Sequence, residues 1–232
     1  MPRLKFLIFA LLAMGALSRS AAAQVLPADN FGEAMSWYKN AAQAGDTKAQ
    51  FLLARMLDTG ARGKPDPAGA VKWYRSAASQ GHRGAAFRLG ELYYDGMGTN
   101  PNFSEAMSWY EEAARAGSTR AQFNLALMVQ RGQGGKRDDS LAVYWYGRAA
   151  EAGLVPAQLN LALMHAAGNG VPFDPVKAMM WLRIAEHLGA EPLNNVKMGL
   201  AAKLTSAEIT RAENASADRL QTIRSKQVNS EP

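Results

Sequence analysis

The sequence predicts an all-α protein, a right-handed α-solenoid of stacked helix-turn-helix repeats with a 36-residue period, on three observations. All five tryptophans fall on one arithmetic series, Trp37, Trp73, Trp109, Trp145 and Trp181. Ala34, Ala70, Ala106, Ala142 and Ala178 stand three residues before them, and Gly45, Gly81, Gly117, Gly153 and Gly189 eight after. Apolar residues inside each period follow helical spacing. Two short antiparallel helices cannot bury their apolar faces alone, so the copies must stack, each against its neighbours.

Taken in chain order, residues 1–23 read as a secretory signal peptide. Arg3 and Lys5 precede the apolar run FLIFALLAMGAL, and Ala21-Ala-Ala23 offers small residues for cleavage. The run is shorter than the roughly 20 residues a bilayer span needs. The mature chain is expected to begin near Gln24, with 24–33 as a lead-in.

The solenoid is expected over 34–204, as repeats near 34–69, 70–105, 106–141 and 142–177 and a degenerate fifth at 178–204. In the first part of a period, AMSWYKNAAQAG, the small or apolar residues Ala34, Trp37, Tyr38, Ala41 and Ala42 share one helical stripe. A glycine then ends the helix. In the second part, KAQFLLARMLDTG, Ala49, Leu53 and Met56 form the stripe of a second helix, which Gly60, Gly96, Gly132 and Gly168 close. Asp66, Asn102, Asp138 and Asp174 recur in the loop that follows, where an oxygen-bearing side chain suits the N-cap of the next helix. Prolines at 65, 67, 101, 172 and 175 belong to the same boundary. The structural core is expected to be Trp37, Trp73, Trp109, Trp145 and Trp181 with Tyr38, Tyr74, Tyr110 and Tyr146. Trp109→Ala should accordingly cost about 3–5 kcal/mol, as truncation of a buried aromatic does.

In the fifth copy Leu182, Glu186 and Leu193 replace Tyr and two alanines, as suits the end of a stack. Thr205-Ser-Ala-Glu208 has the spacing of a capping box. A capping helix is expected over 205–225, its stripe of Ile209, Ala212, Ser216, Leu220 and Ile223 lying over the fifth repeat. Residues 226–232 read as a disordered tail.

The pattern A-x-x-W-Y-x-x-A-A-x-x-G-x-x-x-A-Q-x-x-L-A-x-M-x-x-x-G-x-G resembles the Sel-one-like repeat of the tetratricopeptide superfamily. It reads AMSWYEEAARAGSTRAQFNLALMVQRGQG at 106–134 and AVYWYGRAAEAGLVPAQLNLALMHAAGNG at 142–170. The resemblance implies a scaffold for protein partners. Related proteins look like inhibitors of sensor-kinase periplasmic domains, envelope regulators or host-contact factors. It also implies that the helix beginning at Ala49 and its copies line a concave groove. The expected partner-binding positions are Leu52, Arg55, Arg88, Glu91, Asn124, Leu127, Asn160 and Leu163, charged at one end and apolar at the other. Arg88→Glu is expected to weaken partner capture and leave stability nearly unchanged. Some relatives look like proteins that bind or hydrolyse β-lactams, but those are cysteine-rich, and this chain has no cysteine.

Composition narrows the classes. The net charge is +6. Loss of Arg3, Lys5 and Arg19 with the leader would leave 23 basic residues against 20 acidic, a net charge of +3. That excess forms no Lys/Arg run and gives no footprint for nucleic acid. His82, His165 and His187 are too scattered for a metal set, and no catalytic motif is present. GQGGK at 132–136 has Arg137 where a phosphate loop requires Ser or Thr. Adjacent Asp138 and Asp139 read as an N-cap. Asn102-Phe-Ser104 and Asn214-Ala-Ser216 match a glycosylation pattern that carries little meaning in a bacterial protein. The expectation is a non-catalytic adaptor of the Gram-negative periplasm, without cofactor or metal, that binds and regulates an envelope protein or sensor-kinase domain. The alternatives are an envelope protein that binds or hydrolyses cell-wall fragments or β-lactams, and a secreted host-contact factor.

Overall fold

A computed structural model describes residues 31–61 and 63–228. The proposed leader, most of the lead-in and the last four residues of the tail lie outside them. Eleven helices are present among the described residues. Four regular pairs come first: α1 (Phe31–Gln43) and α2 (Thr47–Thr59), α3 (Pro67–Ala78) and α4 (Arg83–Asp95), α5 (Phe103–Arg115) and α6 (Thr119–Arg131), α7 (Asp139–Glu151) and α8 (Val155–Ala167). A fifth unit begins with α9 (Pro175–His187), continues with the short α10 (Asn194–Ala201) and ends with α11 (Ser206–Val228). The fold is an α-solenoid.

The recurring sequence marks set the helix boundaries. Asp66, Asn102, Asp138 and Asp174 each cap the helix that follows, accepting from the backbone N–H of Gly69, Glu105, Leu141 and Lys177 at 2.8–3.1 Å. At the end of α5, Gly117 takes φ +84°, and Gly117 and Ser118 donate to the carbonyls of Ala114 and Ala113. This pair of bonds satisfies the last orphan carbonyls and turns the chain into α6. The glycine-rich loop 132–136 has a packing reason. A Cβ on Gly134 would collide with the backbone carbonyl of Phe103 at the start of α5. Gly98 and Gly170 meet the starts of α3 and α7 in the same way. Loop and helix backbone touch directly, which only glycine permits.

Each second helix packs on its own first helix and on the first helix of the next unit. One buried cluster runs from Ala54 to Ile223, and a small separate one, Ala42, Ala49 and Leu53, serves the first pair. Gln50, Gln122 and Gln158 are buried, and each donates from Nε2 to the carbonyl of Ala42, Ala114 or Ala150 at 3.1 Å. The Gln of the repeated Ala-Gln pair is therefore a bolt between the two helices of one unit. Tyr74 and Tyr146 are fully buried, and their hydroxyls donate to Asp58 and Gln130, tying a first helix to the second helix of the preceding unit.

The aromatic core departs from the uniform series the sequence suggests. Trp145 and Trp181 are buried, Trp73, Trp109 and Tyr38 are partly buried, and Trp37 is 50% exposed. Trp37 stands on the first described helix, and among the described residues no preceding unit packs on it. Trp109 keeps an edge toward solvent and donates from Nε1 to Glu105 at 3.2 Å. Tyr74, Tyr110 and Tyr146 are the more deeply buried members of their Trp-Tyr pairs.

The fifth unit replaces its second helix. α10 has 8 residues where α2, α4, α6 and α8 each have 13, and its contact with α9 is slight. The long α11 packs on α9 instead, burying Ala212, Ser216, Leu220 and Ile223. The capping box forms as the spacing predicts: Glu208 accepts from Thr205 N–H at 2.9 Å, and Thr205 Oγ1 accepts from Glu208 N–H at 3.3 Å. Arg183 pairs with Glu213 at 2.6 Å and Arg219 with Glu151 at 3.0 Å, so α11 is pinned to both α9 and α7.

Candidate functional site

The eight expected partner-binding positions all lie on α2, α4, α6 and α8, the second helices of four successive units. Arg55 and Leu163 are exposed, and Leu52, Arg88, Glu91, Asn124, Leu127 and Asn160 are partly buried. The positions reach solvent at equivalent registers along the stack, while the residues between them enter the core. The surface changes character along its length, from Arg55, Arg88 and Glu91 to Leu127 and Leu163.

The charged end is not a set of free charges. Arg88 pairs with Asp58 of α2 and with Glu91 of its own helix, each at 2.5 Å, and Asp58 accepts from the buried Tyr74 hydroxyl at 3.2 Å. Burial works against the Arg88 charge, but the hydrogen bonds and charges of Asp58 and Glu91 outweigh it and hold the guanidinium above its ordinary value. Burial, with the Asp58 charge beside it, pushes the Tyr74 hydroxyl up. The expectation that Arg88→Glu leaves stability nearly unchanged is corrected here. A glutamate at 88 would face Asp58 across a unit boundary and Glu91 on its own helix, and two like-charge contacts would replace two attractive ones. Arg55 is the exposed cation of this end, its guanidinium 5.8 Å from the Phe51 ring centre.

The amides differ from one another. Asn160 donates from Nδ2 to the Pro156 carbonyl of its own helix at 2.9 Å, which leaves its carbonyl oxygen for a partner. Asn124 lies near the buried Tyr110 hydroxyl, which burial pushes up. The Tyr146 hydroxyl is likewise pushed up by burial, to about 12.

The histidines do not converge, and among the described residues no group of three or more His, Cys, Asp or Glu side chains could hold a metal ion. His82 has a structural role that the register could have revealed, since it stands where other units have Asp46 and Ser118. Its Nδ1 accepts from Ala85 N–H at 3.1 Å, capping α4, and its ring stacks on Phe51 at 4.2 Å. Burial lowers its pKa, in keeping with a ring nitrogen that must stay unprotonated to accept. His165 is buried, with its pKa lowered by burial and then by Lys177. His187 donates from Nδ1 to the Arg183 carbonyl at 2.8 Å, since a carbonyl can only accept. Among the described residues no helix is long and apolar enough to cross a membrane.

The family model described as "Sel1 repeat" matches residues 10–46, 47–82, 84–118, 119–154 and 155–189. From the second copy on, the matches open on a second helix, 13 or 14 residues into the repeats as read from the tryptophan series, and the first overlaps the proposed leader. Among solved structures, a Sel1 repeat protein from Oxalobacter formigenes is 38% identical, with a TM-score of 0.64 over 68% of this chain; the chain spans 65% of that protein's length. A protective antigen present in uropathogenic Escherichia coli strains, displaying an SLR fold, is 26% identical with a TM-score of 0.47, over 86% of this chain and 52% of that one. The immunity protein Pa5087 from Pseudomonas aeruginosa is 17% identical with a TM-score of 0.38, over 81% and 75% of the two chains. No curated protein matches the chain.

Proposed function

This chain belongs to the Sel1 repeat family, and from that premise we propose that it is a non-catalytic adaptor of the bacterial periplasm, exported by its first 23 residues, that binds and regulates another envelope protein. Sel1 repeats mediate protein–protein interaction. The observation that carries the reading is the surface of the second helices. One scaffold, with the Asp or Asn caps of its first helices recurring and glutamine bolts in the first, third and fourth units, presents a face whose outward residues change from charged to apolar. An extended segment of a partner would lie along that face, anchored on Leu127 and Leu163, with the Asn160 carbonyl oxygen accepting a backbone N–H. Ser216, Ser225 and His187 line one cleft between α9 and α11, but the two hydroxyls donate to the Glu213 and Thr222 carbonyls and His187 Nδ1 to the Arg183 carbonyl, so they are not arranged as a nucleophile and its base.

The test uses the full chain expressed in a Gram-negative host with a tag after Pro232 and a photo-crosslinking side chain at position 167, exposed on α8 one turn from Leu163. The processed N-terminus is expected near Gln24, in the periplasmic fraction. One envelope protein should be trapped, and Arg55→Glu combined with Leu163→Asp should abolish trapping without changing the melting temperature, because both side chains are exposed. Trapping that survives the double variant would remove the face from the mechanism. An unprocessed or cytoplasmic chain would remove the periplasmic address.

A further inference from the structure

A cleft of about 770 Å³ lies between α9 and α11, at the opposite end of the molecule from the charged groove residues. Arg183 and His187, one turn apart on α9, face Glu213, Leu220, Gln221 and Arg224 of α11 across it. Its volume falls in the range of small-ligand sites.

Three features give the cleft a ligand chemistry. Arg183 spends one arm of its guanidinium on Glu213 at 2.6 Å, while its Nε–H is buried with no acceptor among the described residues. Nη1 of the same guanidinium also has no acceptor among the described residues and is not closed off from solvent, which leaves a donor for a ligand. Arg224 makes no ion pair with a described residue, so after Glu213 offsets Arg183 one positive charge remains. Leu220 supplies an apolar floor, Gln221 an amide that both donates and accepts, and His187, its Nδ1 proton held by the Arg183 carbonyl, an acceptor at Nε2.

We propose that this cleft binds the free C-terminal carboxylate of a peptide whose last side chain is apolar. The carboxylate takes the Arg183 Nη1–H and the Arg224 guanidinium, whose planar forks suit it. The last side chain lies on Leu220, and Gln221 and His187 pair with the terminal peptide group. One surplus positive charge matches one carboxylate better than a doubly charged phosphate. The site is separate from the second-helix face, so the two readings fail separately.

Calorimetric titration of the purified full-chain product with N-acetyl-Ala-Ala-Leu, its C-terminal amide and inorganic phosphate decides the matter. The free acid is expected to bind with a Kd below about 1 mM and the amide at least tenfold more weakly. Arg224→Gln should weaken the free acid at least tenfold with unchanged helicity and melting. Arg183→Gln should do the same but also loosens α11, so the Arg224 variant is decisive. Arg55→Glu with Leu163→Asp should leave this binding intact. Equal binding of acid and amide, phosphate binding as tight as the peptide, an unaffected Arg224→Gln, or no heat at concentrations up to about 10 mM would each overturn the assignment.

Discussion

Trp37 and Trp181 hold the same position in the first and fifth units, yet the first is 50% exposed and the second 5%. Around Trp37 the described structure offers a small cluster of Ala42, Ala49 and Leu53 and an edge-on contact with Tyr38. Around Trp181 it offers α8 on one side and α11 on the other, with Arg219 reaching over the ring at 5.8 Å. The residue and its local helix are the same in kind. What differs is the element stacked against them, which is the nearest-neighbour logic of a solenoid. A repeat consensus names the position, and the neighbour decides how much that position stabilises.

The sharpest way to break the comparison is Trp181→Ala, expected to cost about 3–5 kcal/mol because the cavity opens between α9 and its neighbours. Denaturant melting measures it, and a loss below about 1 kcal/mol would mean that α11 does not cover the ring in solution. Arg88→Glu comes next. Its side chain is partly exposed, which screens the charges, so the expected loss is about 1–3 kcal/mol. The double variant Arg88→Glu/Asp58→Lys should recover part of it, since the pair is then reversed; no recovery would assign the loss to Glu91 or to packing.

The sequence carried the period, the helix boundaries and the cap at 205–208 because those depend on local chemistry: a glycine at a left-handed position, an oxygen at an N-cap, a Thr and Glu three apart. It did not carry the graded burial of the tryptophans, which depends on contacts between units. Nor did it distinguish Arg88 from a free surface cation, because Asp58 lies 30 positions earlier on a different helix and no periodic pattern points to the pair. The replacement of α10 by α11 against α9 was half legible. Leu193 in place of Ala signalled an altered second helix, but the cleft that results depends on how α11 lies across α9.

A smaller effect is read out by pH. His82 caps α4 through an unprotonated Nδ1, and its folded-state pKa lies below the ordinary 6.5. As pH falls below about 6.5 the unfolded chain takes up the proton first, so stability present above that pH is lost as pH drops toward the folded-state value. The loss is expected to stay below about 1 kcal/mol, the usual worth of a cap. Buried His165 adds a loss of the same sign. His82→Ser, the residue that caps α6 at the equivalent position, should flatten the His82 share of the melting profile between pH 7 and 5 and leave the His165 share. An unchanged slope would mean that the imidazole is not the cap.

The smallest effect is the most direct test of the stack. Trp37→Ala should cost less than about 1 kcal/mol, because half of the ring already meets water and its removal leaves little cavity behind. Measured in the same denaturant as Trp181→Ala, it gives the difference that one neighbouring helix makes to one side chain. Fluorescence supplies an independent reading: a variant keeping only Trp37 should emit at longer wavelength than one keeping only Trp181, and iodide should quench it more. A cost near that of Trp181, together with a protected, blue-shifted Trp37, would mean that in solution something covers the first unit as α11 covers the last. The two ends would then be equivalent, and burial would follow the position within the repeat after all.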